Sequence, residues 1–234
     1  MYKKSTLLVK YGLLSILFFL NSNLQAQIDP LIERVSQKLG LVNDYVAEGV
    51  MKTDVSFIKA SLGKVKVYFK KPNLLKVKKE GGISLLPKGG VSVTINSLLN
   101  TKQYIALPAG TQEYKGKTLR VIKLVPTDDK LDWVISTLWI DPTDALVYKT
   151  FTTTKENGSY EITMEYGSYA NLGLPSKIIF AFNTKDYKLP NGITLEFGDE
   201  DPTSKQKALK NKKGRIEITY TNYVINKGVS NTMF

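Results

Sequence analysis

The constraint that weighs most on this chain is a hydrophobic period of two, sustained along most of its length behind one short segment of helical period. In Lys64-Val65-Lys66-Val67-Tyr68-Phe69-Lys70, Val65, Val67 and Phe69 share one side, while the lysines and Tyr68 share the other. Successive side chains of a strand point to opposite faces, so this is a strand with one buried face. Comparable strands are drawn at about 53–60, 74–79, 91–96, 101–106, 119–125, 132–140, 145–154, 159–167, 176–183, 191–197 and 215–225. Only Leu31, Ile32, Val35, Leu39 and Val42 keep a helical spacing, with Asp29 as cap and Pro30 in the first helical position. Asn157-Gly158 and Asn191-Gly192 supply tight hairpin turns, and Asp141-Pro142-Thr143-Asp144 divides two further apolar runs. A single antiparallel sheet of this width must curl and have its concave face covered. The expected fold is mainly β: a large curved antiparallel sheet forming an open (half) β-barrel, with an N-terminal helix and a helical or loop lid.

The N-terminus reads as an export signal. Lys3, Lys4 and Lys10 form a basic stretch, Leu13 to Leu20 an apolar core, and Leu24-Gln25-Ala26 a cleavage site before Gln27. That apolar core is well short of the roughly 20 residues that span a bilayer. The expectation is a cleaved signal peptide at 1–26 and a single domain at 27–234 in the periplasm of a Gram-negative bacterium. The chain has no cysteine, so disulfides are impossible and stability must come from one packed core.

Composition narrows the function classes. The net charge is +12, and +9 once the three signal-peptide lysines are removed. Arg34, Arg120 and Arg215 are the only arginines among 33 basic residues. Base recognition leans on arginine forks, so the lysine excess argues against nucleic acid and for peripheral contact with anionic envelope lipids. There is no histidine to serve as a base, and no acidic pair at a spacing that suggests a hydrolase, so an enzyme is not expected. Asp199-Glu200-Asp201 and Asp128-Asp129 lack the alternating oxygen spacing of a calcium loop, and no metal or cofactor is expected.

A family resemblance rests on Tyr68-Phe69-Lys70-Lys71-Pro72-Asn73-Leu74-Leu75, an apolar strand followed by a basic pair, Pro-Asn and two apolar residues. It resembles the strand-to-strand corner of periplasmic lipoprotein carriers of the LolA-like family. Leu138-Trp139-Ile140-Asp141-Pro142, Leu146-Val147-Tyr148-Lys149 and Leu174-Pro175-Ser176-Lys177 continue the likeness in order. The resemblance implies an open barrel whose apolar interior takes lipoprotein acyl chains from an inner-membrane release complex and passes them to an outer-membrane acceptor. A monomer is implied as well. Family members commonly have arginine at the second basic position, thought to hold the lid shut, where this chain has Lys71. The segment from Gly81 to Asn100 lacks the family's usual Asp-Gly turn with aromatic strand.

The resulting cargo-binding candidates are Val65, Val67, Phe69, Leu74, Leu75 and Trp139, with Lys71 as the lid contact. Alternation shows that one face is buried, but leaves open whether side chains or a ligand bury it. A second function is compatible with the same fold: a non-catalytic envelope module that binds or senses a lipid or peptide without shuttling it.

Overall fold

The computed structural model describes residues 29–55, 58–80, 95–100, 103–156, 158–183 and 213–234 of the 234. The expected signal peptide, Asn191-Gly192, the strand at 191–197 and the cluster Asp199-Glu200-Asp201 lie outside the described residues. Among the described residues no helix is long and apolar enough to cross a membrane.

Among the described residues, ten strands form one antiparallel sheet. In chain order they are β1 (Asp44–Val55), β2 (Ile58–Lys70), β3 (Leu74–Lys79), β4 (Tyr104–Tyr114), β5 (Lys117–Pro126), β6 (Trp133–Asp141), β7 (Leu146–Thr154), β8 (Ser159–Tyr166), β9 (Pro175–Asn183) and β10 (Lys213–Ile225). Their spatial order is β3-β2-β1-β10-β9-β8-β7-β6-β5-β4, with β3 and β4 as two edges that do not meet. The sheet is therefore curved and unclosed, the open half-barrel expected from the patterning. Register shifts at Glu48/Gly49, Trp133/Ile135, Trp139/Ile140 and Glu165/Tyr166 put extra residues opposite single partners, which bends strands and increases their twist.

Helix α1 (Pro30–Gly40) covers one end of the inner face. Asp29 caps it by accepting from the Leu31 amide at 2.9 Å, and Pro30 fills the first turn, where no N–H is needed. Leu31, Ile32 and Val35 pack with Ile122, Leu138 and Ile140 from β5 and β6. Fully burying a side chain of this kind contributes about 1.5–3 kcal/mol, so packing more than propensity holds this short helix. The helical spacing drawn through Val42 overshoots: the helix stops at Gly40, and Val42 is buried in a different cluster with Ala47, Val67 and Leu174.

Polar straps reinforce this seat. Arg120 donates to Asp29 at 3.0 Å, while Arg34 donates to the carbonyls of Pro142 and Thr143, each at 2.8 Å. Lys38 donates to the Asp144 carbonyl. The turn between β6 and β7 is thereby fastened to the helix, and Asp141 holds that turn from within by accepting from the Thr143 amide and from Lys117 at 2.7 Å. Burial disfavours the Asp141 charge, yet the Lys117 ammonium and the Thr143 and Asp144 amides outweigh it and keep its carboxyl below the usual range. A carboxyl depressed in the folded state stabilises above its unfolded pKa of about 4, and that contribution fades as pH falls through the folded value. Asp141→Ala should cost about 1–2 kcal/mol at neutral pH, with a smaller difference near pH 3. Denaturant unfolding at both pH values checks this, and an equal cost in acid would contradict it.

Two sequence expectations fail in this region. The segment drawn as a strand at 91–96 ends in helix α2 (Ile95–Asn100), whose Leu98 and Leu99 are buried against α1's cluster, and its first residues lie outside the described set. Tertiary burial of Leu98 and Leu99 overrides the β-branched local signal. The strand drawn at 53–60 straddles the connection between β1 and β2, and most of β1 has no counterpart in the sequence reading.

Candidate functional site

The inner face carries three apolar clusters. One lies beneath α1 and α2, a second joins Met51, Val65, Phe180 and Ile216, and a third gathers Val42, Ala47, Val67 and Tyr223 near the Lys71 corner. Between them lies a cavity of about 130 Å³, partly open to solvent. Its wall is built by alternate residues of six strands: Tyr45 of β1, Val67 and Phe69 of β2, Leu75 and Val77 of β3, Ile162 and Met164 of β8, Ile178 and Phe180 of β9, and Ile216, Ile218 and Tyr220 of β10. Leu39 from the last turn of α1, Ile95 from α2, and the Gly173-Leu174-Pro175 corner complete it. Among the described residues no charged side chain lines it. Apolar cavities on the order of 150 Å³ stay dry and take up apolar guests, so this wall suits hydrocarbon rather than water.

The aromatic end of the wall is pre-organised. Tyr45 stacks on Phe69 at 5.1 Å and meets Tyr223 edge-on at 5.4 Å, and Tyr220 lies 5.1 Å from Tyr223. The Tyr223 hydroxyl donates to the Pro175 carbonyl at 2.8 Å, which fixes the ring from behind. Burial raises the pKa of Tyr45 and Tyr220, so both stay protonated donors.

Of the residues singled out in the sequence, Val67, Phe69 and Leu75 line the cavity. Val65 is buried one position along β2, in the cluster with Met51 and Phe180. Leu74 alternates with Leu75 and is 40% exposed. Trp139 sits on the outer face, because Leu138 and Ile140 on either side of it enter the core beneath α1. Its indole donates to Gln112 at 2.6 Å, and the Lys149 ammonium lies 4.9 Å above its ring. The alternation around Trp139 was visible in the sequence, but which side faced inward was not.

Lys71 reaches the end of α1: its ammonium donates to the Gly40 carbonyl at 2.6 Å and to Asn43 at 3.2 Å. Asn226 fastens the same place, donating to the Leu41 carbonyl at 2.9 Å and accepting from the Asn43 amide at 2.7 Å. Asp128, considered earlier as a cation ligand, caps its own turn through the Lys130 amide. Sequence reasoning missed Tyr45 and Tyr220 as wall residues. The pairs Ile162/Met164 and Ile216/Ile218 were visible as period-two signals within strands that it did draw, while Ile178 and Phe180 lie in the unbroken apolar run Ile178-Ile179-Phe180.

No protein-family model and no curated protein matches this sequence. Solved structures match it by fold. An outer-membrane lipoprotein-sorting protein domain from Vibrio parahaemolyticus aligns with a TM-score of 0.51 at 10% identity, over 86% of this chain and 94% of that one. A DUF1329 family protein from Desulfovibrio piger aligns with a TM-score of 0.52 at 13% identity, over 88% and 94%. A LolA superfamily protein from Nitrosomonas europaea aligns with a TM-score of 0.51 at 9% identity, over 88% and 96%. The chain has a LolA-like fold.

Proposed function

We propose that this chain, folded as LolA-like proteins are, is a non-catalytic periplasmic carrier that binds lipoprotein acyl chains in the inner-face cavity and delivers them to the outer membrane. The observation that carries the reading is the wall itself: a part-open cavity of about 130 Å³ whose described lining is apolar and aromatic and carries no charge. An acyl chain needs no hydrogen bonds along its length, and each buried methylene contributes about 0.8 kcal/mol. A protein using such a cavity for cargo must also let the cargo leave. The edges β3 and β4 do not pair with one another, so widening the mouth breaks no strand ladder. Supply by an inner-membrane complex, acceptance at the outer membrane, export by the N-terminal signal and a monomeric state belong to the same proposal.

The direct test is titration of the purified protein with a tripalmitoylated lipopeptide and with the same peptide lacking its acyl chains. Saturable binding of the acylated form alone is expected, and equal binding of both would overturn the proposal.

Lys71 is the position for release. Its bonds to Gly40 and Asn43 are solvent-exposed, so they contribute little to stability while holding the end of α1, which supplies Leu39 to the cavity. Lys71→Leu should change stability by less than about 1 kcal/mol, yet alter the rate at which bound lipopeptide is released severalfold. Stopped-flow displacement checks this, and an unchanged rate would remove Lys71 from the mechanism.

A further inference from the structure

We infer that the cavity takes an acyl group as its neutral ester or amide, with the carbonyl oxygen held by the hydroxyls of Tyr45 and Tyr220. The inference rests on the acyl-binding reading and adds the chemical class of the group at the head of the chain. Among the seventeen described residues that line the cavity, Tyr45 and Tyr220 are the ones whose side chains carry an O–H or N–H. Neither hydroxyl has a hydrogen-bond partner among the described residues, in contrast to Tyr166 and Tyr223, whose hydroxyls donate to the carbonyls of Val147 and Pro175. Both rings pack on Tyr223, so the two donors come from one rigid cluster.

Three head groups can be compared against this wall. A plain hydrocarbon would cover both hydroxyls without offering either an acceptor, and a covered donor left unsatisfied is unfavourable. A carboxylate would meet no lysine or arginine among the described lining residues, and a buried charge without a partner is costly. An ester or amide carbonyl is uncharged and has two lone pairs, so it satisfies one or both donors at no such cost. That chemistry is shared by the lipid-modified end of a lipoprotein and by a glycerolipid.

The test is displacement of uncharged N-phenyl-naphthylamine by tridecane, methyl dodecanoate and dodecanoate, in the wild type and in Tyr45→Phe, Tyr220→Phe and the double variant. Phenylalanine keeps the ring stack, and thermal melting verifies that each variant is folded. Methyl dodecanoate should bind tightest to the wild type. It should weaken about fivefold with each substitution and about twentyfold with both, the size of one and two neutral hydrogen bonds, while tridecane is unaffected or improves. Binding of tridecane and the ester with equal affinity, tighter binding of dodecanoate than of the ester, or an ester affinity unchanged in the double variant would each overturn the inference while leaving the acyl cavity in place. If no probe enters, the acyl reading itself falls and this inference with it. A tripalmitoylated lipopeptide and a phosphatidylglycerol with the same chains then separate the two sources. Tyrosine-dependent binding of either supports the assignment and the tighter one names the source, whereas tyrosine-independent binding of both overturns it.

Discussion

Leu75→Glu is expected to lower acyl-ligand affinity by a hundredfold or more while leaving the protein folded. Leu75 is half-buried on the edge strand β3, opposite Phe69 in register, and its side chain forms part of the cavity wall. A carboxylate there confronts an acyl chain with an uncompensated charge, a penalty of several kcal/mol after relaxation, whereas in the empty protein the same carboxylate faces solvent through the open mouth. The loss should therefore fall on binding, with a melting temperature within a few degrees of the wild type. Wild-type affinity in the variant would place the ligand elsewhere. Collapse of the fold would mean that this wall is ordinary core with nothing to bind.

Gly49→Ala is expected to be the most damaging single-methyl addition in the sheet. A Cβ built at Gly49 would lie 2.4 Å from the Thr219 carbonyl oxygen and 3.1 Å from the Tyr220 Cα, both backbone atoms that no rotamer change can move. The contact coincides with the register shift where β1 passes β10, so relief requires two interior strands to separate. Overpacking of this kind costs about 3 kcal/mol, equivalent to a fall of roughly 10 °C in a domain of this size. Because Tyr220 and Met51 sit in the same stretch of register, ligand binding should suffer as well. Thermal and denaturant unfolding decide the matter, and a loss below about 1 kcal/mol would show that the strands part easily.

The sheet's centre and one flank were legible because their inward residues are large and apolar. Val65, Val67 and Phe69 in β2 and Ile216 and Ile218 in β10 stand between lysines, Tyr68, Arg215, Glu217 and Thr219, whereas Leu138 and Ile140 in β6 and Ile178 and Phe180 in β9 flank apolar Trp139 and Ile179, where the strand could be read but not its inward face. Strand β1 was not legible for the opposite reason: its inward row runs Tyr45, Ala47, Gly49, Met51, Thr53, in which a small residue, a glycine and a threonine dilute the period. The small residues are there because neighbouring backbone comes close, as the Gly49 contact shows. Strand β4 runs to Tyr114, well beyond the strand drawn at 101–106, because Pro108 and Gly110 read as punctuation but sit at a register shift on an edge, where a missing N–H costs no ladder bond. Of the site, the Lys70-Lys71-Pro72 corner pointed to β2 and β3 and thus to Val67, Phe69 and Leu75. It could not reveal that β8, β9 and β10 complete the wall, since that depends on how far the sheet curls. Nor could it place Trp139, for which a strand's two faces look alike until a helix has chosen one.

Beyond the Arg120–Asp29 pair, three straps on α1 share a chemistry that sequence rules do not reach. Arg34, Lys38 and Lys71 all spend their charge on backbone carbonyls far along the chain rather than on carboxylates. A lysine-rich composition therefore does more here than colour the surface, because several lysines and one arginine satisfy carbonyls at turns and at the helix end. Lys70 extends the pattern to the C-terminal segment through the Val229 carbonyl, and Lys76 donates to the main-chain oxygen of Phe234.

The central claim is that the cavity holds acyl chains in the cell. Native mass spectrometry of the protein purified without detergent from its own host, followed by denaturation to identify what is released, tests it most directly. The account predicts a bound mass that resolves into an acylated lipoprotein. A mass equal to the bare processed chain, together with failure of the protein to take up a tripalmitoylated lipopeptide added afterwards, would contradict it.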